Sequence, residues 1–269
     1  YIARGAMLSS SNFTGLSSMH NFAQGREQAP HWNLPISILE TTSQTPYWFN
    51  FHQRDIGHFL VTGPTGSGKT VAMTFLLAQS FRVSPRPRAV FFDKDRGAEI
   101  AIRALGGRYR ILKPGTPAGL SPLARADTAA DQAFLTTWLA RLARGGDGAP
   151  LQAQDMSILN DAVAALAQVP ADARRLSAMA PLFAGHERAM PGALANRLSR
   201  WHGRGDRAWL FDAGEAMAPL FQNTAIEAFD LTHVFDDADA RTAALMVLFH
   251  EVEKSLDGRP TLIVLDEAW

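Results

Sequence analysis

The 269-residue sequence predicts an α/β fold, in which a core with a parallel sheet carries an inserted all-helical lobe. Three observations predict it. Apolar runs typical of buried strands alternate with helical patterns, the pattern G-x-x-x-x-G-K-[ST] follows one such run, and strand signals vanish between about residues 120 and 205. Strands that alternate with helices are typical of parallel sheets, because parallel neighbours need a long crossover connection.

The amino-terminal part is predicted to contain a linker and then a hairpin. Residues 1–30 are rich in Ser, Asn, Gly and Gln with isolated apolar positions, which indicates an entry segment or linker, assigned to residues 1–35. Two strand patterns follow at 36–41 and 46–51, separated by a Ser43-Gln44 turn. We therefore expect two short strands that lead towards a third apolar run at 59–62.

Residues 63–70 match a phosphate-binding loop in full, between the predicted strand at 59–62 and a helical pattern at 71–79. A loop that wraps a polyphosphate needs backbone angles that a Cβ resists, and glycines relieve that restriction. The amino end of the following helix adds a positive dipole. The predicted nucleotide-binding residues are Gly63, Pro64, Thr65, Gly66, Ser67, Gly68, Lys69 and Thr70.

Two side chains of this loop have predicted chemical roles. Lys69 is expected to reach the β- and γ-phosphates, and the hydroxyl of Thr70 is expected to bind Mg²⁺. Only four of the 26 basic residues are lysines, so Arg is the usual cation of this chain. The compact ammonium group at position 69 therefore indicates a specific role that a planar guanidinium would fill poorly.

A buried strand is predicted at 89–92, and a charged segment, Asp-Lys-Asp-Arg-Gly, follows it at 93–97. Two interpretations of this segment stay open. If the strands are parallel, it lies at the same sheet edge as the phosphate loop and could sense nucleotide or a neighbouring subunit. Alternatively, it is a turn that caps the next helix.

The segment 120–205 is predicted to form about four helices, with Asp127 as a candidate cap of the first. Apolar residues recur in it at helical spacing. They are Phe134, Leu135, Trp138, Leu139 and Leu142, then Met156, Leu159, Val163 and Leu166, then Leu176, Met179 and Phe183, and finally Leu194, Leu198 and Trp201.

Strand patterns resume at 208–211 and 228–231, and a helix is predicted at about 238–255. The last apolar run, 261–265, is predicted to be a buried strand that ends in Asp266 and Glu267. An Asp at this end of a strand holds Mg²⁺ in nucleotide hydrolases, and the next acid can orient or deprotonate the attacking water. Asp266 joins Thr70 as a predicted metal ligand, and Glu267 joins Lys69 as a predicted catalytic residue.

Composition narrows the possible functions. The 26 acidic and 26 basic residues balance, so charge does not support DNA as a partner, although a local basic groove stays open. The chain has no Cys, hence no disulfide scaffold or thiolate metal site. No apolar run approaches the roughly 18 residues of a membrane span.

Because the sequence starts at Tyr1 and stops at Trp269, just past a strand pattern, we expect a piece of a longer protein.

Short strings occur in order along nearly the whole chain. They are HNF at 20–22, TPYWFNFH at 45–52, GH at 57–58, FFDKDRG at 91–97, ALGG at 104–107, WLFD at 209–212, FDLT at 229–232, LFH at 248–250, LDGRP at 256–260 and DEAW at 266–269. With the phosphate loop, this series resembles the large ATPases of bacterial type IV secretion and conjugation systems, the CagE/TrbE/VirB family.

The resemblance implies a RecA-like P-loop NTPase core that binds ATP and Mg²⁺. It implies hexamers, contacts with other type IV secretion components, and a peripheral location at the cytoplasmic face of the bacterial inner membrane. Lys69 and Thr70 would hold phosphate and Mg²⁺, Asp266 would complete the metal site, and Glu267 would activate water.

Four parts of the chain are expected on this basis. Residues 1–35 form the leading segment, 36–119 the first part of the core, 120–205 the lobe, and 206–269 the second part of the core, cut off after the acidic strand. In that family a sensor strand and arginines that reach a neighbouring subunit follow. We therefore expect this fragment alone to bind ATP weakly and to hydrolyse it poorly.

Three functions remain open from the sequence. The leading hypothesis is a motor that energises pilus biogenesis or substrate transfer by ATP hydrolysis. The second is a DNA-pumping translocase of the coupling-protein or HerA/FtsK kind, which DNA would stimulate strongly. The third is a non-catalytic assembly scaffold that responds to nucleotide.

Overall fold

The computed structural model describes residues 7–16, 22–29, 31–144, 150–183, 193–212 and 216–266. It divides the chain into two compact units, Tyr1–Arg86 and Pro87–Trp269. Each unit has its own secondary structure. Within the described ranges, no helix combines the length and apolar character that crossing a membrane requires.

The first unit contains an antiparallel hairpin and a long helix. Its elements are α1 (Ser10–Leu16), β1 (Ser37–Glu40), β2 (Pro46–Phe49) and α2 (Lys69–Ser80). In the hairpin, Ser37 lies opposite Phe49 and Glu40 opposite Pro46. At the turn, the hydroxyl oxygens of Thr41 and Thr45 lie 2.7 Å apart. The predicted hairpin is confirmed.

Residues 59–62 do not form the predicted strand. Their backbone has no ladder pairing with any strand in the described part of the chain. The ring of Phe59 instead stacks on Phe51, with centroids 5.2 Å apart, and meets Phe49 edge-on at 6.0 Å. The apolar run therefore supplies a ring contact to the hairpin, and periodicity alone does not distinguish this use from a strand.

The second unit contains a parallel sheet in the order β4-β5-β3-β6. Its strands are β3 (Arg88–Asp93), β4 (Arg108–Ile111), β5 (Ile226–Asp230) and β6 (Thr261–Leu265). Every neighbouring pair is parallel, so the carboxyl ends of the strands share one edge of the sheet. β6 is less buried than predicted: Ile263 is 44% and Leu265 41% exposed, because β6 is an edge strand that pairs only with β3 within the described residues.

Helices make up most of the rest of this unit. They are α3 (Glu99–Ala104), α4 (Ala129–Arg144), α5 (Ala153–Leu166), α6 (Leu176–Phe183), α7 (Leu194–Leu198), α8 (Ala208–Phe211), α9 (Thr232–Phe235) and α10 (Ala238–Ser255). Four of them, α4 to α7, occupy the positions of the predicted helical patterns. Single 3₁₀ turns occur at Pro122–Ala124, Ala171–Ala173 and Ser199–Trp201.

The prediction that Asp127 caps α4 is wrong. The hydroxyl of Thr128, the residue just before the helix, accepts a hydrogen bond of 3.1 Å from the amide of Asp131. This is the geometry of an amino-terminal cap. Asp127 instead pairs with Arg174 at 2.8 Å. One residue of register decides which polar side chain can reach the free amides of the first turn.

The strand predicted at 208–211 is a helical turn, α8. Its apolar residues pack into the helical core, where Phe211 meets the ring of Trp138 edge-on with centroids 5.0 Å apart. The carbonyl of Trp209 accepts a hydrogen bond of 2.9 Å from the amide of Ala118. A run of only four apolar residues fits a buried helical turn as well as a strand, and here the helical packing prevails.

One hydrophobic core joins the sheet and the helices of the second unit. Val90 and Phe92 of β3 and Phe229 of β5 belong to the same buried cluster as Trp138 and Trp201 of the helical region. Because this core is continuous, it does not mark where one part of the unit ends. The boundaries predicted at 35/36, 119/120 and 205/206 stay a prediction.

Candidate functional site

The phosphate loop of the first unit has the backbone that its glycines allow. Gly66 and Gly68 adopt φ values of 80° and 85°, in the left-handed region that side chains with a Cβ resist. The amide of Ser67 donates to the carbonyl of Pro64 at 3.2 Å and closes a tight turn. Gly68 is the cap residue of α2, whose ladder begins with the bond from Ala72 to the Gly68 carbonyl at 2.8 Å.

Gly63 has no left-handed backbone angle, and it differs from the other two glycines in what a side chain would contact. A Cβ at this position would lie 2.6 Å from the hydroxyl oxygen of Ser67, closer than real Cβ contacts come. The loop therefore depends on Gly66 and Gly68 for backbone conformation, whereas a Cβ at position 63 would require the Ser67 hydroxyl to move to another rotamer.

Lys69 bends back over its own loop. Its ammonium group donates to the carbonyls of Gly63 and Pro64, each at 3.1 Å. Both acceptors are exposed, so the ammonium group lies at the open side of the loop. Thr70 follows as the second residue of α2, and its carbonyl accepts a hydrogen bond of 2.9 Å from the Thr74 hydroxyl.

The loop fits a polyphosphate on these observations. Residues 62–68 are exposed, two glycines have the conformation that lets successive amides face an anion, and a 12-residue helix begins at Lys69. Helix amino ends carry orphan amides and a positive partial charge. Lys69 and Thr70 would hold the phosphates and Mg²⁺, respectively.

In the second unit, acidic residues occupy the carboxyl ends of three adjacent strands. Asp93 ends β3 and lies opposite Asp230, which ends β5. Asp266 follows β6, and its amide donates to the carbonyl of Phe92 at 2.9 Å, which extends the ladder by one residue. The exposed fractions of Asp93, Asp230 and Asp266 are 0%, 2% and 7%, so three buried carboxylates share this edge.

Asp93 has the most perturbed environment of the three. Its Oδ2 accepts hydrogen bonds from the Tyr109 hydroxyl at 2.5 Å and from the Ala98 amide at 2.9 Å. Burial raises the pKa of Asp93 above its usual range; these two hydrogen bonds and the adjacent backbone amide of Lys94 oppose that shift, and the charge of Asp266 adds to it. Burial and the bond to Asp93 also raise the pKa of Tyr109.

The segment 93–97 is held by hydrogen bonds at Asp93 and at Asp95. Asp93 accepts the amide of Ala98, just before α3, so the interpretation as a helix-capping turn fits the geometry. Asp95 and Arg96 adopt left-handed φ values of 60° and 59°, uncommon for residues with side chains. The amide of Asp95 donates to the hydroxyl of Thr232 at 2.7 Å, and this hydroxyl donates to Asp230 at 2.5 Å.

Asp266 does not belong to a ready-made metal cage. Across the described ranges, no three His, Cys, Asp or Glu side chains are placed to hold a metal ion. Nucleotide-bound Mg²⁺ does not need such a cage, because it is held by one or two carboxylates together with phosphates and water. The donor set at Asp266 therefore fits a magnesium–nucleotide complex. Glu267, the predicted base, lies outside the described residues.

Two residues of this edge were missed from the sequence. Tyr109 lies on β4 and reaches Asp93 on β3, and Thr232 links the ends of β3 and β5. The string that contains Thr232 pointed to its region but not to its contact. Nothing in the alternation of β4 indicates the partner of Tyr109.

Curated relatives match this chain over its whole length, whereas no protein-family model matches it. The type IV secretion system protein virB4 of Bartonella henselae is 37% identical over 270 residues, which cover 100% of this chain and 33% of that protein. PtlC of Bordetella pertussis is 37% identical over 289 residues, which cover 100% of this chain and 35% of PtlC. The chain thus spans about a third of these relatives.

A solved structure, that of VirB4 of Thermoanaerobacter pseudethanolicus, has a TM-score of 0.64 and covers 94% of this chain and 70% of its own. The sequence identity is 17%, so this likeness concerns the fold. It confirms the expected RecA-like α/β class with a parallel sheet and helices.

Proposed function

Because the chain belongs to the VirB4 family of type IV secretion proteins, we propose that it is an ATP-binding and ATP-hydrolysing motor unit of such a system. The supporting observation is the phosphate loop, in which two left-handed glycines precede a helix that starts at Lys69. The energy of hydrolysis would drive pilus biogenesis or substrate transfer.

In this proposal, each polar residue has one task. Amides of the loop 63–70 bind the phosphates, and Lys69 exchanges its two loop carbonyls for phosphate oxygens. Thr70 and Asp266 are the protein ligands of Mg²⁺, which neutralises charge on the phosphates when it is bound. Glu267 orients the attacking water and accepts its proton.

The assembly is also part of the proposal. The relatives are components of type IV secretion systems, so we propose that other components of such a system are partners of this chain. We further propose a homo-hexamer at the cytoplasmic face of the inner membrane. Sedimentation with and without ATP tests the hexamer directly.

Glu267→Gln provides the test of the catalytic assignment. We expect the wild-type chain on its own to bind ATP weakly and to hydrolyse it slowly, and Glu267→Gln to bind ATP as wild type does while losing at least about 100-fold in that turnover, the range of a lost general base. Glu253→Gln, an exposed position on α10, is the matched control and should turn over as wild type. Unchanged turnover in Glu267→Gln would disprove its role, and absence of ATP binding would disprove the function.

The same assay separates the motor from the DNA pump. Turnover is measured with no DNA, with single strands and with duplex. A motor that does not act on DNA keeps its rate in all three, whereas strong stimulation by either form would favour the translocase.

A further inference from the structure

Asp93 is a buried carboxylate with one oxygen unused. Its side chain is fully buried, and Oδ2 already accepts two hydrogen bonds, from Tyr109 and Ala98. Oδ1 is also buried, yet no donor among the described residues reaches it. Leaving a buried acceptor without a donor is costly, and such atoms are rare in folded proteins, so this oxygen points to a ligand.

The position of Asp93 in the sheet indicates which ligand its Oδ1 would bind. In the ladder between β3 and β6, Phe92 lies opposite Leu265, and Asp266 donates its amide to Phe92. Asp93 and Asp266 are therefore the next pair of the ladder, and side chains of such a pair point to the same face of the sheet. The charge of Asp266 acts on Asp93 strongly enough to affect its pKa.

Tyr109 holds Asp93 from two strands away. β5 lies between β4 and β3, and the residue of β5 opposite Tyr109 is Ala228. Ala228 is fully buried and has no side chain beyond its Cβ, so the tyrosine ring can cross β5 above it. The bond between the Tyr109 hydroxyl and Asp93 spans the strand and fixes one oxygen of the carboxylate, which leaves Oδ1 as the remaining acceptor.

We propose that Asp93 is a positioning residue of the magnesium site, whose Oδ1 accepts a hydrogen bond from water bound to the Mg²⁺ that Asp266 holds. Tyr109 keeps Asp93 in the orientation that this bond requires. This inference rests on the proposed function, since it assumes that the chain binds a magnesium–nucleotide complex. Groups that hold the ligands and waters of a metal typically change its affinity about 10- to 100-fold when they are replaced.

Asp230 provides a contrast at the same edge. It is almost as buried as Asp93, but its Oδ1 accepts hydrogen bonds from both the amide and the hydroxyl of Thr232, at 3.0 and 2.5 Å. The carboxylate of Asp230 thus already accepts hydrogen bonds within the loop after β5. Asp230→Asn is therefore a control for charge removal at this edge.

The experiment measures ATP binding by calorimetry over a series of Mg²⁺ concentrations, for wild type, Asp93→Asn, Tyr109→Phe and Asp230→Asn. The first variant would keep an acceptor for Tyr109 and Ala98 but place an amide donor where Oδ1 lies. We expect the Mg²⁺ concentration at half-maximal binding to rise about tenfold in Asp93→Asn and about threefold in Tyr109→Phe. In EDTA, every variant should bind ATP with the affinity of wild type. In the Mg²⁺ series, Asp230→Asn should reach half-maximal ATP binding at the same Mg²⁺ concentration as wild type.

The outcomes separate this inference from the proposed function. A wild-type protein that binds no ATP at any Mg²⁺ concentration overturns both. Magnesium-dependent binding by wild type with an unchanged midpoint in Asp93→Asn and Tyr109→Phe overturns the inference alone. If Asp93→Asn does not fold, Tyr109→Phe decides, because it removes one oxygen and keeps the ring. A lower melting temperature with an unchanged midpoint assigns the pair a structural role and likewise overturns the inference.

Discussion

The ammonium group of Lys69 lies 3.1 Å from the carbonyl oxygen of Gly63, six residues earlier in the same loop. A second bond of equal length goes to the carbonyl of Pro64. The lysine thus uses two of its three N–H donors within the loop that it is proposed to complete. Because phosphate oxygens carry full charge, they are stronger acceptors than these carbonyls, and a nucleotide can displace them.

Replacing Lys69 with Ala should weaken ATP binding. The variant loses a charge-assisted hydrogen bond worth about 1.5 to 3 kcal/mol, so the Kd should rise roughly 10- to 100-fold. Calorimetric titration with ATP and Mg²⁺ measures this change. Lys113→Ala removes an exposed lysine and should bind as wild type. Equal Kd values for the two variants would contradict the role of Lys69.

Gly68→Ala should impair the loop through its backbone alone. The φ of Gly68 is 85°, and an added Cβ would meet nothing within 4 Å, so the cost is conformational rather than steric. A left-handed residue with a Cβ costs about 1 to 2 kcal/mol, which predicts ATP binding weaker by roughly 5- to 30-fold. Gly68→Asn should lose less, because Asn tolerates this region better. The reverse order of the two Kd values would refute the explanation.

Trp138→Ala tests the core that joins the helices to the sheet. Trp138 is fully buried, and its indole donates to the Ala243 carbonyl at 3.3 Å. Its loss should cost about 3 to 5 kcal/mol and lower the melting temperature of the unit by about 10 °C. Ile100→Ala, at a side chain 86% exposed, is the control and should melt within a degree or so of wild type. Calorimetric melting gives both values.

Asp131 should contribute stability that is lost in acid. Burial raises its pKa, but hydrogen bonds from Lys254 at 2.5 Å and Thr128 at 2.6 Å, together with the charge of Lys254 and a hydrogen bond from His250, lower the pKa further than burial raises it. The net folded pKa lies below the unfolded value of about 3.9. The contribution is therefore complete above about pH 5 and declines as pH falls through the unfolded and then the folded pKa.

The measurement for Asp131 is the difference in melting temperature between wild type and Asp131→Asn from pH 3 to pH 7. We expect a large difference at pH 7 that shrinks towards pH 3. Asp161→Asn, an exposed acid on α5, should show a small difference at every pH. A difference for Asp131→Asn that grows on acidification would refute the assigned direction of the shift.

Local pattern identified the long helices correctly. The helix predicted at about 238–255 is α10, and the segment after Gly68 forms α2, because twelve to eighteen residues of one periodicity leave little ambiguity. The strands predicted from two short apolar runs did not form. Residues 208–211 became α8 and residues 59–62 an unpaired segment, since four residues do not specify which neighbour they contact.

The sequence by itself determined the phosphate loop, the parallel α/β class and the acids at the carboxyl ends of β3 and β6, because these follow from spacing along the chain. Only the tertiary structure brought Asp230 of β5 to the same edge and decided which of the three acids has an oxygen without a donor among the described residues. That depends on Tyr109 reaching Asp93 across Ala228, and on Thr232 satisfying Asp230. Such contacts join residues far apart in sequence, and no local pattern encodes a hydrogen bond whose two ends are chosen by strand order.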